Sequence, residues 1–228
     1  MGNSSSANCI GFIMDGNRRF AKERGMSTAW GHWQGKEKLL AATDWLKEAG
    51  FKHAVFYTFS SENWQRSEAE VQAFLDLLTV GLDDFQERIK AGAEVNLKII
   101  GDLKRLPETL QTKIKQVESL NKAEYSLTIW LLISYGGRSE IVTAVNQVVE
   151  KGVEVTEESF KERLWSAAVP EIDLLVRTGG EKRLSNFLPW QTAYSELFFI
   201  DTYWPAFSQE EFLEIMAKYK KREKRFGR

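Results

Sequence analysis

Six short apolar runs punctuate this chain, and most are separated by segments with the period of an amphipathic helix. The runs span 10–14, 54–59, 95–100, 127–133, 174–176 and 197–200. Strands that alternate with helices specify an α/β fold, with a central, mostly parallel six-stranded sheet and helices on both faces. The helical segments carry their own boundaries. Segment 33–49 ends at Gly50, a natural C-terminal cap. Ser67 and Glu70 have capping-box spacing, and behind them Val71, Phe74, Leu75, Leu78, Leu82, Phe85 and Ile89 recur on one face. Segment 139–151 ends at Gly152, and Ser208 with Glu211 opens a C-terminal helix. With 228 residues, 43% of them apolar, the chain can bury a full core. The expected organisation is a disordered tail over 1–9 and one domain over 10–228.

Ligands of such sheets bind beyond the carboxyl ends of the strands. Asp15-Gly16-Asn17-Arg18-Arg19 follows the first run, and residues 60–66 (SSENWQR) follow the second. Residues 134–138 (SYGGR) follow the fourth, and 177–186 (RTGGEKRLSN) follow the fifth. These clusters should converge, bringing Arg19, Arg66, Arg138, Arg177 and Arg183 together with Asp15, Glu62 and Glu181. Guanidinium forks match phosphate oxygens bidentately, and glycine-rich backbone can add N–H donors. Asp15 has two readings of equal weight: an ion-pair partner for the arginines, or a Mg2+ ligand on a diphosphate. His32 stands near the Asp15 cluster, close to a helix start, as a candidate donor to ligand. Phe59 could be plain core, whereas Trp64 sits in a polar loop that offers it little local burial.

The common nucleotide motifs are absent. Neither G-x-x-x-x-G-K-[ST] nor G-x-G-x-x-G occurs, which argues against an ATPase or a dinucleotide enzyme. Residues 83–87 (DDFQE) resemble an acidic metal motif but read better as the solvated face of a helix. A net charge of −1 gives no field to steer the chain to nucleic acid. No apolar stretch is long enough to span a bilayer. Cys9 is the only cysteine, so neither an internal disulfide nor a cysteine metal site can form, and a reducing cytoplasmic setting fits. The opening MGNSSS lacks a secretory pattern. It matches the myristoylation spacing at Gly2 and Ser6, though a tail or cloning remnant is the plainer reading.

Taken in order, IMDGNRRFAK, GH at 31–32, YTFSSENWQRS, IIGD, SYGGRSEI, DLLVRTGGEKRLSNFLPWQTAYSELFF, WP at 204–205 and KREKRFG resemble the cis-prenyltransferases of the undecaprenyl diphosphate synthase type. The resemblance covers nearly the whole chain. It implies condensation of isopentenyl diphosphate with an allylic diphosphate such as farnesyl or geranyl diphosphate, forming a Z-configured polyprenyl diphosphate. It further implies Mg2+, a homodimer, an apolar product tunnel and peripheral membrane contact for product release. By position, Asp15 is implied as the essential, metal-linked carboxylate and Glu196 as a second metal-linked acid near the dimer interface. Gly16, Asn17, Arg18, Arg19 and His32 map to the allylic diphosphate site. Arg177, Arg183 and Ser185 map to the isopentenyl diphosphate site. Phe59, Ser60, Ser61, Glu62, Asn63, Trp64 and Arg66 map to the loop that closes over substrate, with Asn63 placed among the catalytic residues. The terminal RFG resembles a tail that reaches the partner subunit. Departures occur at Phe20, Thr28, Thr58, Ser134 and Lys182; none removes a group that the chemistry requires. Two alternatives stand beside this expectation: a short-chain or branched prenyl diphosphate synthase on the same fold, and a non-catalytic subunit of a heteromeric enzyme.

Overall fold

A computed structural model describes residues 7–152 and 154–221. The strands are β1 (Cys9–Ile13), β2 (His53–Ser60), β3 (Val95–Ile100), β4 (Leu127–Tyr135), β5 (Leu174–Arg177) and β6 (Glu196–Phe199). The α-helices are α1 (Asn17–Lys22), α2 (Thr28–Glu48), α3 (Glu68–Lys90), α4 (Glu108–Glu118), α5 (Gly137–Lys151), α6 (Glu157–Lys161) and α7 (Gln209–Lys220). The strands form one sheet in the order β3-β4-β2-β1-β5-β6, and every pairing is parallel. The domain is a single α/β unit.

Alternation along the strands feeds two apolar layers. Ile10 and Phe12 of β1 join Ala54, Phe56, Ile129 and Leu131 against the buried faces of α2, α3, α4 and α7. Cys9 and Ile13 point the other way and pack with Val55, Trp130, Leu132 and Phe187. Strand β4 is buried along its whole length, as expected of a strand covered on both faces.

Several boundaries differ from the sequence expectation for local physical reasons. Cys9, placed in the tail, is fully buried at the start of β1, where Asp173 Oδ2 accepts the N–H groups of Asn8 (2.8 Å) and Cys9 (3.1 Å). Helix α2 begins at Thr28 rather than at 33, because Ser27 Oγ caps it by accepting the Trp30 N–H (3.2 Å). His32 therefore sits inside the helix. Only half of the Ser67/Glu70 box forms: Ser67 Oγ accepts the Glu70 N–H, while the Glu70 carboxylate faces Arg18 at 3.6 Å. The Ser208/Glu211 box is complete. The 83–87 segment is an ion-paired helix face, with Asp83 bound to Lys113 and Asp84 bound to Lys36. The opening MGNSSS and the terminal RFG lie outside the described residues.

Candidate active site

Beside β1 the connections change direction: β2 lies on one side of it and β5 on the other. That switch point opens a crevice at the carboxyl ends of the strands. It forms a pocket of about 640 Å³. Asp15 and Asn17 reach it from the turn after β1, and Ser60, Glu62, Asn63 and Arg66 from the turn after β2. Arg138 enters from the start of α5, Arg177, Arg183, Ser185 and Asn186 from the end of β5, and His32 and Glu70 from α2 and α3. Residues far apart in sequence thus line one wall system because every strand runs the same way.

Asp15 stands at the centre of the cationic side. Its Oδ2 accepts from Arg177 Nη2 (3.0 Å) and its Oδ1 from Arg19 Nη2 (3.1 Å). Arg177 is buried, and its Nη1 donates to Ser185 Oγ (2.7 Å) and to the Arg183 carbonyl. Ser185 and Asn186 make that meeting possible by turning the chain through the left-handed region, at φ 48° and 68°. Arg177 Nε is buried without a protein partner among the described residues. Arg183 pairs with Glu181. Across the mouth, Asn186 joins two connections: its Nδ2 donates to Glu62 Oε1 (3.1 Å), and its Oδ1 accepts the Arg138 N–H (2.8 Å).

The glycines act differently from the expectation. The N–H groups of Gly179 and Gly180 donate to the carbonyls of Thr202 and Ile200 (both 2.8 Å), and that of Gly137 donates to the Asn186 carbonyl (2.9 Å). These three donors hold the loops together and are not available to a ligand. Gly179, at φ 85°, lets Arg19 pass: a Cβ there would lie 2.7 Å from Arg19 Nη2. Gly16, expected at the ligand, lies buried beneath Tyr203, whose ring would sit 2.6 Å from an added Cβ.

The remaining expected residues divide. Arg18 and Arg19 wall a neighbouring groove with Lys22 and Thr28. Residues Ser61–Gln65 form a 3-10 turn locked by a complete box between Ser60 and Asn63. Phe59 faces the core, stacked on Phe74 at 4.2 Å, because a register irregularity near Thr58 in β2 reorients the strand end. Trp64 packs edge-on to Phe59 and donates through Nε1 to Ser134 Oγ (2.9 Å), so tertiary contacts bury the ring that its sequence neighbours could not. Ser61 packs against Gly136. Phe59, Ser61 and Trp64 therefore support the pocket wall from behind. Glu196 is not brought to Asp15 within the chain. It pairs with Leu174 at the opening of β6, three register steps (about 10 Å) before the level of Arg177. Asn186 and Glu70 are pocket residues that the sequence reading passed over; the first lies within the RTGG segment, and the second was assigned to a cap.

Burial, reinforced by the charges of Arg66 and Arg18, lowers the His32 pKa to about 4, so its imidazole is neutral near pH 7. Burial and the Arg18 charge also lower the pKa of Arg66. Among the described residues no group of three or more His, Cys, Asp or Glu side chains is arranged to hold a metal ion. Asp15 still has acceptor capacity, since two donors occupy only part of a carboxylate's lone-pair sites. That donor set fits Mg2+ shared with phosphate oxygens and not a cage built by protein alone.

A second, apolar pocket of about 90 Å³ continues from the first, with Met14, Asn17, His32, Thr58 and Phe74 common to both. It runs between α2 and α3, against Leu131 of β4. Leu127 shares the strand face of Leu131 but is sealed in the core away from the pocket lining, and Trp130 points to the opposite layer. No helix among the described residues is long and apolar enough to cross a membrane.

The family model described as undecaprenyl diphosphate synthase matches residues 13–227. An isoprenyl transferase from Thermotoga maritima is 41% identical over 223 residues, covering 96% of this chain and 95% of the relative. A ditrans,polycis-undecaprenyl-diphosphate synthase ((2E,6E)-farnesyl-diphosphate specific) from Haemophilus influenzae is 39% identical over 225 residues, covering 96% and 94%. The crystal structure of lavandulyl diphosphate synthase from Lavandula x intermedia, in complex with dimethylallyl diphosphate, superposes with a TM-score of 0.93 at 31% identity, covering 99% of this chain and all of that one. The arginine-lined crevice, the sheet that presents it and these full-length similarities converge: the chain belongs to the undecaprenyl diphosphate synthase family of cis-prenyltransferases.

Proposed function

We propose that the chain condenses isopentenyl diphosphate with an allylic diphosphate, farnesyl or geranyl, and extends it to a Z-configured polyprenyl diphosphate such as undecaprenyl diphosphate. One observation carries this reading: a cationic pocket opens directly into an apolar one, sharing Met14, Asn17, His32, Thr58 and Phe74. A diphosphate suits the first and a hydrocarbon chain the second.

As the allylic carbon–oxygen bond breaks, its electron pair leaves with the diphosphate. In this reading Arg19, reaching Asp15 from the neighbouring groove, and neutral His32 donate to that growing charge. Arg177, Arg183 and Ser185 hold the isopentenyl diphosphate, whose double bond supplies the electrons of the new carbon–carbon bond. A proton then passes from the adjacent carbon to the released diphosphate, completing the new double bond. Asn63 and Arg66 close the mouth over both substrates. Asp15 would hold Mg2+ together with phosphate oxygens; the ion, when bound, would add positive charge where the leaving group becomes more negative.

The reading includes a homodimer in the cytoplasm, touching the membrane surface when product leaves. Strand β6 is an edge strand with Leu197 exposed, which suits a pairing surface, and it would place Glu196 at the subunit boundary. The small apolar pocket favours a second reading, a short-chain or branched synthase. The presence of Asp15 and the arginine set speaks against a non-catalytic subunit.

The test is incubation with labelled isopentenyl diphosphate and dimethylallyl, geranyl or farnesyl diphosphate, with Mg2+ or with EDTA, followed by sizing of the extracted products. An EDTA-sensitive ladder of long products supports the main reading, and a single short product supports the second. No product with any primer overturns both.

A further inference from the structure

The apolar pocket contains one charged side chain. Lys36, on α2, sits among leucines, with its side chain only 12% exposed. Its stem crosses toward α3, where Gly81 leaves room for it: a Cβ at Gly81 would lie 3.9 Å from Lys36 Cδ. Its ammonium is bound to Asp84, lies 2.8 Å from Glu37 Oε1 and sits 4.3 Å from the centre of the Trp33 ring. Burial opposes the charge, but the hydrogen bonds to Asp84 and Glu37 outweigh it and raise the Lys36 pKa.

Depth along the pocket follows from helix geometry. Phe74 lines both pockets, and Gly81 lies seven residues further along α3, about 10 Å at 1.5 Å per residue. The Lys36 stem therefore crosses the space well beyond the diphosphate end. The whole apolar pocket, from Met14 at the diphosphate end to Phe85 one turn past Gly81, has a free volume of about 90 Å³. A cavity of about 150 Å³ holds benzene, so this space takes roughly one five-carbon unit without rearrangement. A longer chain must push aside the Lys36 stem, whose ammonium is held at the partly exposed rim by Asp84, Glu37 and the Trp33 ring.

We propose that Lys36, anchored across the gap by Asp84 and Glu37, is a specificity-determining residue that bars the hydrocarbon tunnel and limits product length. The proposal rests on the prenyltransferase reading above and names the barrier within it. It assigns a role to an acid from the 83–87 segment beyond being a solvated helix face.

The test compares product lengths from the wild-type protein with those from Lys36→Ala, Lys36→Leu and Asp84→Ser, using labelled isopentenyl diphosphate and geranyl diphosphate with Mg2+. Lys36→Ala should shift the main product upward by at least one five-carbon unit. Asp84→Ser should shift it in the same direction, because the unanchored ammonium can swing to solvent. Lys36→Leu, which refills the space, should give less shift than Lys36→Ala. Identical product lengths for wild type, Lys36→Ala and Asp84→Ser, with all three proteins folded by circular dichroism, would overturn the barrier. Failure of the wild-type protein itself to condense the substrates would instead overturn the prenyltransferase reading on which it rests.

Discussion

Arg177 Nη2 donates to Asp15 Oδ2 at 3.0 Å, across a separation of 162 residues in the chain. The guanidinium is buried and the carboxylate is partly exposed, so the pair presents one neutralised face to the core and one free edge to the pocket. The two sequence readings of Asp15, ion-pair partner and metal ligand, are therefore compatible: different lone pairs of one group can serve each.

Asp15→Asn should lower condensation by at least a hundredfold at saturating Mg2+, because the neutral amide retains shape but loses affinity for the cation. Asp15→Ala should do the same and also destabilise the fold by about 2 kcal/mol, since it leaves buried Arg177 short of a partner. Turnover at saturating Mg2+ and urea unfolding separate the two effects. Near-native turnover of Asp15→Asn would exclude a metal role for this side chain.

Arg177→Lys keeps the charge but loses the fork that reaches Asp15, Ser185 and the Arg183 carbonyl together. The expected result is a rise in KM for isopentenyl diphosphate of tenfold or more, with a smaller change in KM for the allylic substrate. Steady-state kinetics with each substrate varied in turn would reveal it. Equal changes for both substrates would contradict the division of the site.

Gly179→Ala places a methyl group 2.7 Å from Arg19 Nη2, at a φ of 85°. The left-handed conformation alone costs an L-residue about 1 kcal/mol. Displacement of Arg19 should reduce activity well beyond that stability loss. A melting temperature lowered by a few degrees together with unaltered kinetics would show that Arg19 is not needed where it stands.

The lowered pKa of His32 makes stability depend on pH in a definite direction. The folded protein keeps the imidazole neutral down to about pH 4, whereas the unfolded chain protonates near 6.5. The contribution is complete above pH 6.5 and is lost as pH falls toward 4, up to ~3 kcal/mol. Urea unfolding at pH 7 and pH 5 should show a smaller drop for His32→Gln than for the wild type. Diphosphate binding should raise the His32 pKa, because an anion favours the imidazolium; in an NMR titration of the ring, a pKa unchanged by saturating inorganic diphosphate would show that the ligand binds elsewhere.

The strands and most helices were legible in the sequence because apolar spacing is a local record of burial. The runs at 10–14 and 127–133 announce strands covered on both faces, and Leu75, Leu78, Leu82, Phe85 and Ile89 trace the buried side of α3. Convergence of Asp15, Arg66, Arg138, Arg177 and Arg183 followed as well, since parallel strands present all their exits at one edge. What tertiary structure decided was direction. A register irregularity turns Phe59 into the core, Ser134 draws in Trp64, and Tyr203 covers Gly16. Strand register puts Glu196 at the far end from Asp15. The Lys36–Asp84 contact joins residues on different helices, and its meaning depends on the gap that α2 and α3 leave between them. Periodicity fixes which face of an element is buried; only packing fixes which atoms meet there, because pair contacts depend on the relative placement of elements whose spacing in sequence carries no such information.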